Sequence, residues 1–184
     1  MEALLALDGN ILLWIQEFLR GALDPLVCFY THLGDAGLLW IALSLILLCI
    51  PKTRRAGLLG LLSLGLGFLC TNVILKHLVA RPRPWLTVEG LTALITEGDP
   101  NSFPSGHTCS SFAAATAWFH TLPKRWMGAA ALALAAVMGL SRLYVGVHFP
   151  SDVLVGGLIG FACGQAVWLL WKKREHSRAP ADGL

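Results

Sequence analysis

Long apolar stretches are the feature that most constrains how this chain folds. Five of them follow one another, at residues 36–50, 56–80, 105–121, 126–144 and 151–171, and polar or basic breaks separate them. A helix needs about 20 apolar residues to cross the hydrocarbon core of a bilayer, and flanking residues complete a shorter run. The pattern therefore predicts an all-α protein that forms a polytopic membrane helix bundle.

The first 35 residues leave two interpretations open. Residues 11–18 are apolar but include Gln16 and Glu17, and a second apolar run follows at 26–33. The segment is either a sixth, kinked span or an interfacial amphipathic helix that leads into one. We favour about six helices in a single integral membrane domain over residues 1–184. Its flanking parts are the N-terminal helix of residues 1–35, a polar loop at 85–103 and a disordered polar tail at 172–184.

The composition excludes several classes of function. Charged residues make up 14% of the chain and hydrophobic residues 55%, whereas an average soluble domain has about 25% charged residues. The net charge of +3 is small and scattered, which argues against a nucleic-acid partner. The five cysteines are dispersed, so we expect small buried side chains and no disulfide or metal role.

The positions of the basic residues predict how the chain is oriented in the membrane. They cluster at three breaks, namely Lys52, Arg54 and Arg55; Lys124 and Arg125; and Lys172, Lys173 and Arg174. These breaks lie at alternate ends of successive spans and hence on one side of the membrane, which the positive-inside rule makes cytoplasmic. We therefore expect a multi-pass protein of the cell inner (plasma) membrane. The loop at 85–103 then faces the outside or the periplasm.

Polar residues collect at the opposite ends of the spans, in three clusters. The candidate site residues in these clusters are Lys76, Arg83, Ser105, Gly106, His107, Arg142, His148 and Asp152. Arginine suits bidentate contact with phosphate and lysine supplies a point charge. A Ser-Gly helix start offers a cap and free N–H groups to an anion. A histidine attacks or shuttles a proton, and an aspartate near it fixes its tautomer.

This inventory matches phosphoryl transfer, which depends mainly on positioning and on neutralising charge. The carboxylates elsewhere on the same face are chiefly Glu89, Glu97 and Asp99. Their spacing is not typical of a metal cluster. The sequence therefore offers no metal cluster beside the candidate phosphate site.

The motifs resemble a known family. The pattern Lys76-x6-Arg83-Pro84, then Pro104-Ser105-Gly106-His107, then Ser141-Arg142-x5-His148-x3-Asp152 is similar to the three-part signature of the type 2 phosphatidic acid phosphatase superfamily. The resemblance implies that His148 is the nucleophile that forms a phosphohistidine, that Asp152 orients it, and that His107 protonates the leaving group. It also implies a six-helix bundle and no cofactor. The phosphate would be held by Lys76, Arg83, Ser105, Gly106 and Arg142.

Several functions remain open at this point. The foremost hypothesis is a metal-independent lipid phosphatase whose partners are membrane lipids and a lipid phosphate, most simply undecaprenyl pyrophosphate converted to undecaprenyl phosphate. The alternatives are a phosphatidylglycerophosphate or phosphatidate phosphatase, a phosphatase of soluble substrates, and a protein that only binds anionic headgroups. Arg81 is expected either to touch a second phosphate or to snorkel to the interface. A homo-oligomer stays open, because glycine stripes serve internal packing as well as dimers.

Overall fold

The computed structural model describes residues 2–178, which fold into helices joined by turns and loops; no strand occurs in this range. The all-α prediction is confirmed. The α-helices are α1 (Glu2–Phe18), α2 (Asp24–Leu33), α3 (Leu38–Cys49), α4 (Arg54–Phe68), α5 (Lys76–Val79), α6 (Pro84–Thr87), α7 (Gly106–Thr121), α8 (Arg125–Tyr144) and α9 (Pro150–Arg178). A 3₁₀ turn at Asp35–Gly37 leads into α3, and a π-helical segment at Leu69–Leu75 joins α4 to α5.

Fewer than the six predicted helices are, by length and composition alone, suited to cross a membrane. Among residues 2–178, three continuous helical segments are long and apolar enough, at Arg54–Val79, Arg125–Tyr144 and Pro150–Ser177. The pair of Asp24–Leu33 and Asp35–Cys49 would be a fourth, bent by 48°. The helix α7 has 16 residues, close to the apolar run at 105–121, and it packs against α4, α8 and α9.

The N-terminal 35 residues form two helices rather than one. The first, α1, ends at Phe18, and α2 begins at Asp24 after a turn. The kink that the sequence predicted within this segment is therefore a break between helices. A second bend follows at Gly34–Gly37, where Ala36 and Gly37 have φ values of 50° and 73°. This bend brings the turn that carries Asp35 against α7.

Small side chains let α9 lie close against α7. A Cβ atom on Gly156 would stand 2.5 Å from the carbonyl oxygen of Ser105, and one on Gly164 would stand 2.7 Å from that of Ala113; Gly160 is equally close to α7. All three glycines face a helix of the same chain, so this stripe serves packing within the chain. The close approach brings the start of α9 beside the start of α7.

An apolar cluster packs α1 against the turn between α8 and α9. It includes Leu12, Val145, Val147 and Phe149, of which the last three flank His148 in the turn between α8 and α9. Nearby, Arg20 donates to the carbonyl oxygen of Tyr144 at 2.8 Å and to that of Thr92 at 2.7 Å. The N-terminal helix therefore supports both the turn and the loop at 85–103.

The C-terminal tail differs from the prediction. The last helix continues through the basic residues 172–174 to Arg178, so at least residues 172–178 are helical rather than disordered. Glu175 lies 2.9 Å from Arg55 and accepts a hydrogen bond from Trp171 at 2.9 Å, and these contacts hold the helix end. Residues 179–184 of the predicted tail lie outside the described residues.

Candidate active site

The eight predicted site residues gather at one end of the bundle. Lys76 lies where the segment Arg54–Val79 approaches its end, Arg83 directly precedes α6, and Ser105, Gly106 and His107 form the start of α7. Arg142 lies in the last turn of α8. His148 occupies the turn that follows, and Asp152 lies in the first turn of α9. A cavity of about 680 Å³ opens here, lined by five of them, Lys76, Arg83, Gly106, His107 and His148.

The cavity has a polar end and an apolar wall. The wall is supplied by side chains of α3 and α4, including Ile41, Leu61, Leu64 and Phe68. Leu61 and Phe68 lie on a segment long and apolar enough to span a membrane. The space therefore offers apolar contact next to a cluster of cations, which suits a molecule with both a chain and an anionic head.

His148 is buried and held as a neutral ring. Its Nε2 lies 3.1 Å from Nη1 of Arg83. A guanidinium only donates, so Nε2 accepts and the ring proton resides on Nδ1. Burial, followed by the charges of Arg83 and Arg142, holds the pKa of His148 well below its ordinary value. An unprotonated Nε2 is the form that a nucleophile requires.

Asp152 lies beside His148, across the start of α9. Its Oδ2 is 3.6 Å from Nδ1 of His148, which is longer than a hydrogen bond. The same oxygen accepts from the N–H of Phe149 at 2.9 Å. The two side chains are therefore neighbours across a turn and helix start, and Pro150 lies between them as the first residue of α9.

Arg81 is bound by side chains of the protein itself. Its Nη1 donates to Asp152 at 2.8 Å and to Ser151 at 2.7 Å, and its Nη2 donates to Asp8 at 3.0 Å. The guanidinium also stacks on the ring of Phe149, 3.8 Å from its centroid. The side chain is therefore largely enclosed by the protein, with 16% of its surface exposed. Nothing in the sequence singled out its partner Asp8, which lies 73 residues away.

His107 is paired with a carboxylate that the sequence analysis did not select. Its Nε2 lies 3.0 Å from Oδ1 of Asp35. The other oxygen of Asp35 lies 3.0 Å from Nδ1 of His32. His32 therefore contacts the partner of a candidate catalytic residue.

Ser105 and Gly106 shape the start of α7. Ser105 caps the helix, since its Oγ accepts from the N–H of Thr108 at 3.4 Å and from the hydroxyl of Thr108 at 2.9 Å. Its own N–H donates to the carbonyl oxygen of Asp152 at 3.1 Å, which joins α7 to α9. A Cβ on Gly106 would stand 2.9 Å from Oδ1 of Asn72. The predicted helix cap is present, and glycine is needed for the close contact with Asn72.

Two carboxylates from the loop at 85–103 contact the three candidate phosphate-binding cations. Asp99 lies 2.9 Å from Nζ of Lys76. Glu97 lies 3.5 Å from Nη2 of Arg83 and also contacts Nη2 of Arg142. Burial alone would raise the pKa of Asp99, but contacts led by Lys76 hold it below its ordinary value. Burial lowers the pKa of Arg83 to about 10, so it stays protonated at neutral pH.

The described residues contain no group of three or more His, Cys, Asp or Glu side chains placed to hold a metal ion. The positive charges of the site come from one lysine and three arginines, Lys76, Arg81, Arg83 and Arg142, and its titratable groups include His107, His148 and the carboxylates Asp35, Glu97, Asp99 and Asp152.

Comparison with known proteins identifies the family. Residues 56–176 match the PAP2 superfamily. The chain belongs to the PAP2 superfamily. It is 32% identical over 138 residues to the undecaprenyl-diphosphatase of Sulfolobus acidocaldarius, covering 75% of this chain and 66% of that protein. It is also 32% identical over 153 residues to the decaprenylphosphoryl-5-phosphoribose phosphatase of Mycobacterium tuberculosis, covering 80% of each.

A solved structure of the same superfamily shares the fold. The transmembrane PAP2 type phosphatidylglycerolphosphate phosphatase of Bacillus subtilis superposes with a TM-score of 0.76 at 27% identity, covering 100% of this chain and 90% of that one. These similarities confirm the predicted membrane helix bundle. They also make the protein a lipid phosphatase, which is a hydrolase.

Part of the site lies outside the region that matches the superfamily. The motif residues 76–152 fall within residues 56–176. Asp8 and Asp35, which contact Arg81 and His107, come from the preceding 55 residues. The N-terminal helices therefore supply partners for site residues that the family match alone would not reveal.

Proposed function

We propose that this PAP2 phosphatase hydrolyses undecaprenyl pyrophosphate to undecaprenyl phosphate. The observation that carries the proposal is the placement of Lys76, Arg83 and Arg142 around His148, at the polar end of a cavity with an apolar wall. Cations of this kind bind phosphate oxygens, and the apolar wall suits a polyprenyl chain. The name of the archaeal relative, an undecaprenyl-diphosphatase, supports the choice of lipid.

The proposed reaction has two steps. Nε2 of His148 attacks the terminal phosphorus, the bond from phosphorus to the bridging oxygen breaks, and its electron pair leaves on the lipid phosphate. His107 protonates that oxygen where needed, and Asp152 steadies the charge on the imidazole of His148. Water, deprotonated by His107, then attacks the phosphohistidine and releases orthophosphate. The phosphate is held throughout by Lys76, Arg83, Arg142 and the start of α7 at Ser105 and Gly106.

The proposed setting is one membrane domain in the cell inner membrane, with the site facing outside or the periplasm. The basic clusters near residues 52, 124 and 172 support this orientation through the positive-inside rule. A Thr96→Cys variant, made in a background without native cysteines, should react with an impermeant thiol reagent in intact cells, because Thr96 is exposed near the cavity. Labelling that requires lysis would reverse the orientation.

Phosphate release by the purified protein tests the substrate. We expect undecaprenyl pyrophosphate to give the highest kcat/KM in a panel that includes phosphatidylglycerophosphate and phosphatidate. His148→Ala is the control for contaminating phosphatase. A highest kcat/KM on phosphatidylglycerophosphate would favour the second candidate, which the full-length similarity to the Bacillus subtilis enzyme supports. If phosphate is released from none of these lipids, the result would favour a protein that only binds headgroups.

A further inference from the structure

The acidic segment, residues 97–99, is the unexpected part of this site. It belongs to the loop between α6 and α7, and none of its residues is in the predicted catalytic or phosphate-binding set. Its two carboxylates nevertheless contact all three candidate phosphate-binding cations, Asp99 on Lys76 and Glu97 on both arginines. A phosphate bound by these cations and the acidic segment would compete for the same donors.

Glu97 bridges the two guanidiniums with both of its oxygens. Oε1 contacts Nη2 of Arg142 and Oε2 lies 3.5 Å from Nη2 of Arg83. Two oxygens of a phosphate group would make the same pair of contacts. The carboxylate thus stands where two phosphate oxygens are expected, and both cannot be there together.

The two arginines are held more firmly than Glu97. Arg83 is 1% exposed and donates to the carbonyl oxygens of Asp99 and Val147, each at 3.0 Å. Arg142 is fully buried and donates to Thr31 at 2.6 Å. The side chain of Glu97 is 19% exposed, and a Cβ on the adjacent Gly98 would meet no atom within 4 Å. An incoming anion would therefore move Glu97 and leave the arginines in place.

The charge of an incoming anion determines whether it can displace Glu97 from the two arginines. Three cations and two carboxylates leave one net positive charge in the resident arrangement. A terminal phosphate carries close to two negative charges at neutral pH. If it replaces Glu97 while Asp99 stays on Lys76, the charges balance. A phosphodiester carries one negative charge, as Glu97 does, so its entry brings no electrostatic gain.

We propose that Glu97 determines specificity by occupying Arg83 and Arg142 until a terminal phosphate displaces it. The residue excludes monoanionic phosphodiesters, which include the headgroups of ordinary phospholipids, from a site that opens beside them. Asp99 remains paired with Lys76, so the charges of Arg83 and Arg142 are left for the incoming anion. An anion with two negative charges is needed to neutralise them. This inference rests on the proposed function, since it takes the cation cluster as the phosphate site.

Binding of orthophosphate to the purified protein tests the proposal without requiring turnover. Glu97→Gln keeps the shape of the side chain and removes its charge. We expect the Kd for orthophosphate, measured by isothermal titration calorimetry, to fall by about tenfold, because the resident competitor is weakened. The matched control is Glu89→Gln, which removes one charge from an exposed position of the same loop. The control should stay within about twofold of the unmodified protein.

A diester competitor tests the selectivity itself. Dihexanoyl phosphatidylglycerol should inhibit phosphate release from the best lipid substrate weakly in the unmodified enzyme. In Glu97→Gln its inhibition constant should fall by about tenfold, as the Kd for orthophosphate does, because both anions lose the same competitor. Glu97→Asp keeps the charge but is too short to bridge both guanidiniums, so it should give intermediate constants. If Glu97→Gln does not accumulate as folded protein, Glu97→Asp can be measured instead, because it keeps the negative charge.

Either of two results would overturn the proposal. A Kd for orthophosphate that rises in Glu97→Gln would mean that Glu97 positions the arginines for phosphate. A Kd and a diester inhibition constant that stay within the range of Glu89→Gln would mean that Glu97 does not compete at all. If the lipid panel shows another substrate but the Kd falls as expected, the proposed function is wrong and the role of Glu97 stands.

Discussion

Nη1 of Arg81 lies 2.8 Å from Oδ1 of Asp152, in a site where Asp152 has no solvent exposure. The other carboxylate oxygen accepts from the backbone of Phe149 and faces His148. Arg81 also reaches Asp8 on α1. The carboxylate beside the candidate nucleophile is therefore neutralised by an arginine that the N-terminal helix holds in position.

Removal of this arginine should destabilise the protein. Arg81→Ala leaves Asp152 buried without its cation, and loss of one partner of a buried ion pair costs about 3–5 kcal/mol. We expect a lower midpoint of thermal unfolding in detergent. Lys124→Ala, an exposed position at the opposite end of the bundle, is the control and should leave the midpoint unchanged. Equal midpoints for the two variants would show that Asp152 does not depend on Arg81.

The two site histidines should fail in different ways. His148→Ala removes the proposed nucleophile, so phosphate release should cease on every substrate. His107→Ala removes the proposed acid, which matters more for a monoester, whose leaving group is an alkoxide, than for a pyrophosphate, whose leaving group is an already acidic phosphate. The comparison is kcat on phosphatidate against kcat on undecaprenyl pyrophosphate.

Trapping the phosphoenzyme checks the same assignment directly. An acid-labile phosphoenzyme should accumulate in the His107 variant during turnover of a pyrophosphate, because its hydrolysis then lacks a base. It should be absent from the His148 variant. Asp152→Asn should be slow rather than inactive, since the imidazole remains. A phosphoryl group found on His107 would refute the division of roles.

Asp35 should act through His107. Asp35→Asn removes the carboxylate charge that lies 3.0 Å from Nε2 of His107, so the ring is less well oriented for proton transfer. We expect kcat on a monoester to fall by about tenfold, with a smaller fall on a pyrophosphate. The control is His32→Ala, which removes the other neighbour of Asp35 and should have the weaker effect. An equal loss on both substrates would indicate a structural role for Asp35.

The pH profile should follow the low pKa of His148. Burial and two nearby arginines disfavour its protonated form, so the nucleophile stays neutral until the pH falls through the lowered value. The acid limb of kcat should therefore lie below about pH 6.5, the ordinary value for imidazole. A difference NMR titration between the unmodified protein and His148→Ala would follow the same ring directly. An acid limb above that pH would contradict the lowered pKa.

Chelators should leave activity intact. The charge that phosphoryl transfer needs is available from Lys76, Arg83 and Arg142, and the proposed nucleophile is a side chain. Phosphate release should persist in EDTA, and vanadate should inhibit, because it adopts the five-coordinate shape of the transferring phosphoryl group. The control is a metal-dependent phosphatase assayed in the same buffer. Loss of activity in EDTA that a divalent ion restores would refute the mechanism.

The sequence by itself determined the helical class and the set of candidate site residues. Both are local signals: apolar runs report which segments form buried helices, and the spacing of Arg142, His148 and Asp152 is set within one turn and helix start. Helix ends were less predictable. The helix α9 continues beyond residue 171 to Arg178, because contacts such as that of Glu175 with Arg55 stabilise residues whose own composition does not require a helix.

Only the tertiary structure decided the partners of those residues. Asp8 meets Arg81 across 73 positions, Asp35 meets His107 across 72, and Glu97 meets Arg142 across 45. No periodicity connects residues so far apart, since their contact depends on how α1, the bent pair α2 and α3, and the loop at 85–103 pack at one end of the bundle. Glu97 and Asp99 had no metal-like spacing, and their role became visible only when folding placed them against Lys76, Arg83 and Arg142.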